Sequence, residues 1–172
     1  MMIASGDYSG WTQVGYIRWY DHVTVQFAQH HYAAQGDEYP TKYGTMQLVD
    51  GTVYGYGERW DPSTGYELDR INGSDFWKTA FDPFAKWSTP FVAQFDGEAR
   101  YLQSDVPGNS ASPTHYTDIQ GQRFSDNTFV SMPCGYLVKG NDGSSKRTDG
   151  ESWHDVLAGS CPDFEIYTDT AG

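Results

Sequence analysis

Two runs of strand-forming residues flank Asp50-Gly51 in the stretch Tyr43–Trp60, and the rest of the hydrophobic pattern can be laid out around them. Asp-Gly favours a two-residue type I′ turn, because Gly accepts positive φ without a Cβ clash. Pairing outward from that turn predicts a hairpin with Tyr43, Thr45, Gln47, Tyr54, Tyr56 and Glu58 on one face. Met46, Leu48 and Val53 fall on the other. One face reads as core and the other as a sheet of tyrosines set among amides and a carboxylate.

Similar patterns recur along the chain. Residues 1–10 read as a flexible lead. Trp11–Tyr20 carries Val14, Tyr16 and Tyr20 on one face and Ile17 and Trp19 on the other, the mark of a strand near the middle of a sheet. In the next run Val23, Val25 and Phe27 alternate with His22, Thr24, Gln26 and His30, which predicts a half-buried strand with its polar face outward. Asp61-Pro62-Ser63-Thr64-Gly65 is a turn signal, Tyr66–Ile71 a short strand and Asn72-Gly73 a second turn. The pairs Phe76/Ala80 and Trp77/Phe81 after Ser74 predict one or two helical turns over 74–81.

Further strands are predicted over Phe91–Leu102 (Phe91, Ala93 and Phe95 inward), Thr114–Phe124, Thr128–Val138 and Asp163–Thr168. Ser152–Asp155 matches a capping box and predicts a second short helix. Residues 139–152 read as a mobile polar loop. The inventory is one all-β domain over 1–172: an antiparallel β-sandwich or jelly roll of about eight or nine strands with two short helices. A closed β-barrel is the runner-up.

Composition narrows the function classes. The chain has 13 Tyr, 6 Trp, 9 Phe and 19 Gly, with 11 Lys+Arg against 23 Asp+Glu. A formal net charge of −12 argues against nucleic acid and anionic membranes, since both draw on clustered Lys and Arg. No apolar run reaches the roughly 18–20 residues of a membrane helix. Cys134 and Cys161 both border turn segments and are expected to form one disulfide. That bridge implies an oxidising compartment, so an extracellular or virion-associated setting is expected although no leader is visible.

The chemistry-bearing candidates are few. Glu58 and Glu98, each beside aromatic residues, form the candidate catalytic pair, because glycosidases need two carboxyls converging across a cleft. His22 and His30 share strand parity but lie roughly 26 Å apart on an extended strand, so no histidine metal site is expected. Asn141-Asp142-Gly143 with Asp149 is a candidate for structural calcium, although the EF-hand spacing is missing. No phosphate loop or nucleophile elbow is present, and no cofactor is expected. The ligand-binding candidates are Tyr43, Gln47, Tyr54, Tyr56, Tyr116 and Gln120, because aromatic faces stack on apolar faces of a ligand while amides meet its hydroxyls.

The leading expectation is a non-catalytic binder of a carbohydrate or similar polar ligand. A self-associating structural protein, with aromatic faces as subunit interfaces, is one alternative. A small glycoside hydrolase or lyase using Glu58 and Glu98 is the other.

Overall fold

The computed structural model describes residues 1–7, 9–19, 23–32, 39–87, 92–94, 108–109, 111–123, 125–132, 153–157 and 163–168. The chain divides into two compact units, Met1–Phe95 and Asp96–Gly172. The described residues of both are mostly β-strands, paired antiparallel apart from a single parallel bridge at Asn109–Thr168, and no sheet closes into a barrel among them.

In the first unit β1 (Met2–Ala4), β2 (Gly10–Arg18), β3 (Thr24–Tyr32), β4 (Thr41–Gln47) and β8 (Val92–Gln94) form a five-stranded sheet in the order β4-β3-β2-β1-β8. The doubly apolar β2 lies third of five, as its pattern predicts. Residues directly opposite in an antiparallel pair share a face. The β2–β3 register therefore puts Thr12, Val14 and Tyr16 with His30, Ala28 and Gln26 on one face, and Trp11, Gln13 and Ile17 with His31, Gln29 and Val25 on the other.

A three-stranded sheet, β5 (Tyr56–Trp60), β6 (Glu67–Ile71) and β7 (Ser74–Lys78), lies against the first of these faces. Its hairpins follow from turn chemistry. Residues 61–66 close with Gly65 at φ 74°, and the Asp61 carboxylate accepts from the Ser63 hydroxyl and amide. Those hydrogen bonds hold the Asp61 carboxyl below its ordinary pKa. Asn72 and Gly73 both have positive φ, 51° and 76°, the signature of a type I′ turn, and Ile71 pairs with Ser74 directly across it. The apolar core between the sheets is small, consisting of Val14, Ala28 and Ile71 with Tyr56, Phe76 and Trp77 packed against it.

Several sequence expectations are corrected here. The runs on either side of Asp50-Gly51 do not pair: β4 joins β3 and β5 joins β6. Gly51 has φ 77° while Asp50 lacks the positive φ that a type I′ turn needs at its first central residue, so the chain turns a corner into the other sheet. Residues 74–78 are a strand, because the type I′ turn returns the chain alongside β6. The described helix is α1 (Pro83–Lys86), N-capped by Asp82. On β3 the polar parity faces inward: Gln26 and His30 are buried while Val23 is exposed. Ala93 is exposed on the edge strand β8, not buried.

In the second unit β9 (Gly108–Asn109), β10 (Ser112–Tyr116), β13 (Trp153–Leu157) and β14 (Phe164–Thr168) form one sheet, and β11 (Gln120–Gln122) pairs with β12 (Phe129–Ser131). The expected helix after Ser152 is instead β13, which pairs along its whole length with β14. Positive φ at Asp118 (56°) breaks the expected strand Thr114–Phe124 into β10 and β11, which belong to different sheets. Ile166 faces inward as its alternation predicts, and Ile119 is also buried. Fourteen strands stand among the described residues, against the eight or nine expected, because two predicted helices are strands and long runs are broken.

Candidate functional site

Two regions of the first unit combine polar chemistry with aromatic side chains, and they lie on opposite faces of the five-stranded sheet. The first is the face turned away from β5–β7. Gln13 Nε2 donates to Gln29 Oε1 at 2.9 Å, and Gln29 Nε2 donates to Thr41 Oγ1 at 2.7 Å, an amide ladder across β2, β3 and β4. On one side of it Trp11 stacks on Tyr39 (centroids 5.8 Å, 17°), with His31 tilted against both. On the other, Phe27 lies opposite Tyr43, which packs against Trp19 at 5.7 Å. Gln47 opposes Val25 beyond a bulge in the β3–β4 register. These groups are half-buried, with Tyr39 and Tyr43 about half exposed.

The second region lies between the sheets. Glu58 on β5 pairs directly with Asp69 on β6, and Glu67 is two residues before Asp69 on the same face. All three are buried, and His30 and Thr12 reach them from β3 and β2. His30 Nε2 lies 2.6 Å from Asp69 Oδ2, and the imidazole stacks on Trp77 (4.4 Å, 15°). Thr12 has one hydroxyl proton for two carboxyls. It donates to Glu67 Oε2 at 3.1 Å, which leaves both oxygens of Glu58 without a hydrogen-bond donor among the described residues.

Burial, then the charges of Glu67 and Asp69, push the Glu58 carboxyl well above its ordinary pKa. Burial and the Asp69 charge push Glu67 up to about 8. Tyr56, beside this cluster, has its phenol raised chiefly by burial. Like charges this close cannot all ionise, so the cluster holds protons at neutral pH. No group of three or more His, Cys, Asp or Glu among the described residues is arranged to hold a metal ion. His30 and Trp77 also line a groove of about 270 Å³ with Thr79 and Phe81.

The candidates read from sequence separate accordingly. Tyr43 and Gln47 share the outer face with the amide ladder. Tyr56 and Glu58 face the interior, and the Tyr54 hydroxyl accepts from the Val49 amide at 3.0 Å on the chain between the sheets. Tyr116 stacks on Phe164 in the second unit (4.5 Å, 6°), where Gln120 also lies, its amide donating to Asp118 Oδ1. Glu98, Cys134, Cys161 and the calcium candidate loop lie outside the described residues. Sequence reasoning missed Glu67 and Asp69, although Glu-Leu-Asp on a strand places two carboxyls on one face. It missed Gln29 and His31 because β3 turns its polar parity inward, and Trp11 and Gln13 because their partners on β3 are set by the register between strands.

No protein-family model matches the chain, and neither a curated protein nor a solved structure matches it.

Proposed function

We propose that the chain is a β-sandwich of the jelly-roll class that binds a neutral carbohydrate, without chemistry, on the outer face of the five-stranded sheet. The observation that carries this reading is the ladder Gln13–Gln29–Thr41 with aromatic groups on both sides, Trp11–His31–Tyr39 and Trp19–Tyr43. A sugar ring offers an apolar face for stacking and a rim of hydroxyls for hydrogen bonds, and this surface supplies both. The ladder uses one N–H of each amide, leaving the second N–H for a ligand hydroxyl. Trp11 on β2 and Trp19 just past its end are eight residues apart, roughly 27 Å for an extended chain, long enough to seat several rings.

A net charge of −12 disfavours uronate-rich and sulfated glycans, which leaves neutral ones. The sandwich reading is supported by the hydrogen bonds that tie the two sheets of the first unit together, Thr12 to Glu67 and His30 to Asp69.

Affinity electrophoresis through gels containing hydroxyethylcellulose, xylan, laminarin or pullulan tests the reading. Retardation by at least one polysaccharide is expected, weakened about tenfold or more in Trp11→Ala and Gln29→Ala. Unretarded migration in all four gels would overturn it.

A further inference from the structure

The buried cluster on the opposite face of the sheet plays no part in that binding, and one of its members, His30, also lines the groove of about 270 Å³ with Trp77 and Phe81. We propose that this groove is a second, hydrolytic site, in which His30 is the general base for cleavage of a small ester with a short apolar acyl group.

Four observations converge on it. His30 is 3% exposed, yet it lines the groove. Its Nε2 is engaged by Asp69 Oδ2 at 2.6 Å, so in the neutral ring Nε2 carries the proton and Nδ1 the basic lone pair. The ring is held flat against Trp77, which fixes its direction. The rest of the lining is mostly apolar (Pro40, Trp77, Ala80, Phe81), which suits an acyl chain.

The step balances without a further reactant. His30 Nδ1 takes a proton from water as the water oxygen bonds to the ester carbonyl carbon. The imidazolium then returns the proton to the departing alkoxide as the carbon–oxygen bond breaks, giving acid and alcohol. Asp69 touches no substrate. It is a positioning residue that fixes the tautomer and stabilises the imidazolium. The ionisable groups on the faces turned toward His30 are Asp69 and Glu67 from β6, Glu58 from β5 and Lys42 from β4, whose ammonium sits over the Phe76 ring, with the Thr12 hydroxyl beside it on β2.

The test is hydrolysis of 4-nitrophenyl butyrate by the full chain and three variants, each first checked for a cooperative thermal unfolding transition. His30→Gln is expected to lose at least tenfold in kcat/KM, while the other four histidines remain as an internal background. Asp69→Asn is expected to lower kcat with KM nearly unchanged, because the ring loses the partner that fixes its tautomer and direction. Ala80→Trp keeps the pair and fills the groove, so it decides the matter if His30→Gln does not fold. It is expected to abolish the rate above background. A wild-type rate equal to that of His30→Gln, or an Ala80→Trp variant as fast as wild type, would overturn the proposal. Since the polysaccharide platform lies on the other face, loss of either activity leaves the other measurable.

Discussion

At Glu58 and Glu67 protonation and folding are linked. Both carboxyls have folded-state pKa values raised above the unfolded value near 4.5, Glu67 to about 8. Between those values the folded state binds more protons than the unfolded state, so stability is full below about pH 4.5 and falls as pH rises toward 8. The loss is on the order of a few kcal/mol. Thermal unfolding from pH 4.5 to 8.5 is expected to show a falling Tm, with a shallower slope in Glu58→Gln and Glu67→Gln. A Tm that rises over this window in the wild type would mean the carboxyls are not buried together.

Gly10 sets a second constraint at this scale. A Cβ there would lie 2.1 Å from Trp87 Nε1, and Trp87 is itself buried. Gly10→Ala is expected to cost about 1–3 kcal/mol or more through displacement of the indole, read from the urea midpoint and the tryptophan emission maximum.

At the scale of elements, the legible parts of the fold are those fixed by local chemistry. Asn72-Gly73 specifies its turn because two consecutive residues tolerate positive φ, and Asp61–Gly65 specifies another by the Asp61 side-chain bonds. Strand β2 was legible from apolar residues on both faces. Asp50-Gly51 misled because a single positive φ at Gly51 redirects a chain without closing a hairpin. The inward polar face of β3 was hidden for a different reason. His30 is tolerable inside only because Asp69, 39 residues later, meets it there. Alternation along one strand cannot reveal such a partner.

The same limit governs the candidate site. Glu58 could be picked out beside Tyr56 and Trp60, but its convergence with Glu67 and Asp69 is a matter of register between strands. Asn72→Ala tests the turn directly. It loses the Asn72 Oδ1 bond to the Gly55 amide and adds αL strain, an expected cost of about 1–3 kcal/mol in the urea midpoint.

Over the whole molecule, a charge of −12 sits on a chain whose outer sheet face is nearly neutral, built from Trp, Gln, Thr and Tyr. Binding there should depend on stacking and amide hydrogen bonds and hardly on salt. Raising sodium chloride from 0.05 to 0.5 M, where the Debye length shrinks several-fold, is expected to change the affinity less than about twofold. Backbone amide chemical shifts of the ¹⁵N-labelled chain, titrated with cellohexaose, xylohexaose and laminarihexaose, test the placement most directly. Perturbations concentrated at Trp11, Gln13, Gln29, His31 and Thr41 with at least one hexaose are the expected result. Shifts confined to other strands, or none with any of the three sugars, would contradict carbohydrate binding on this face.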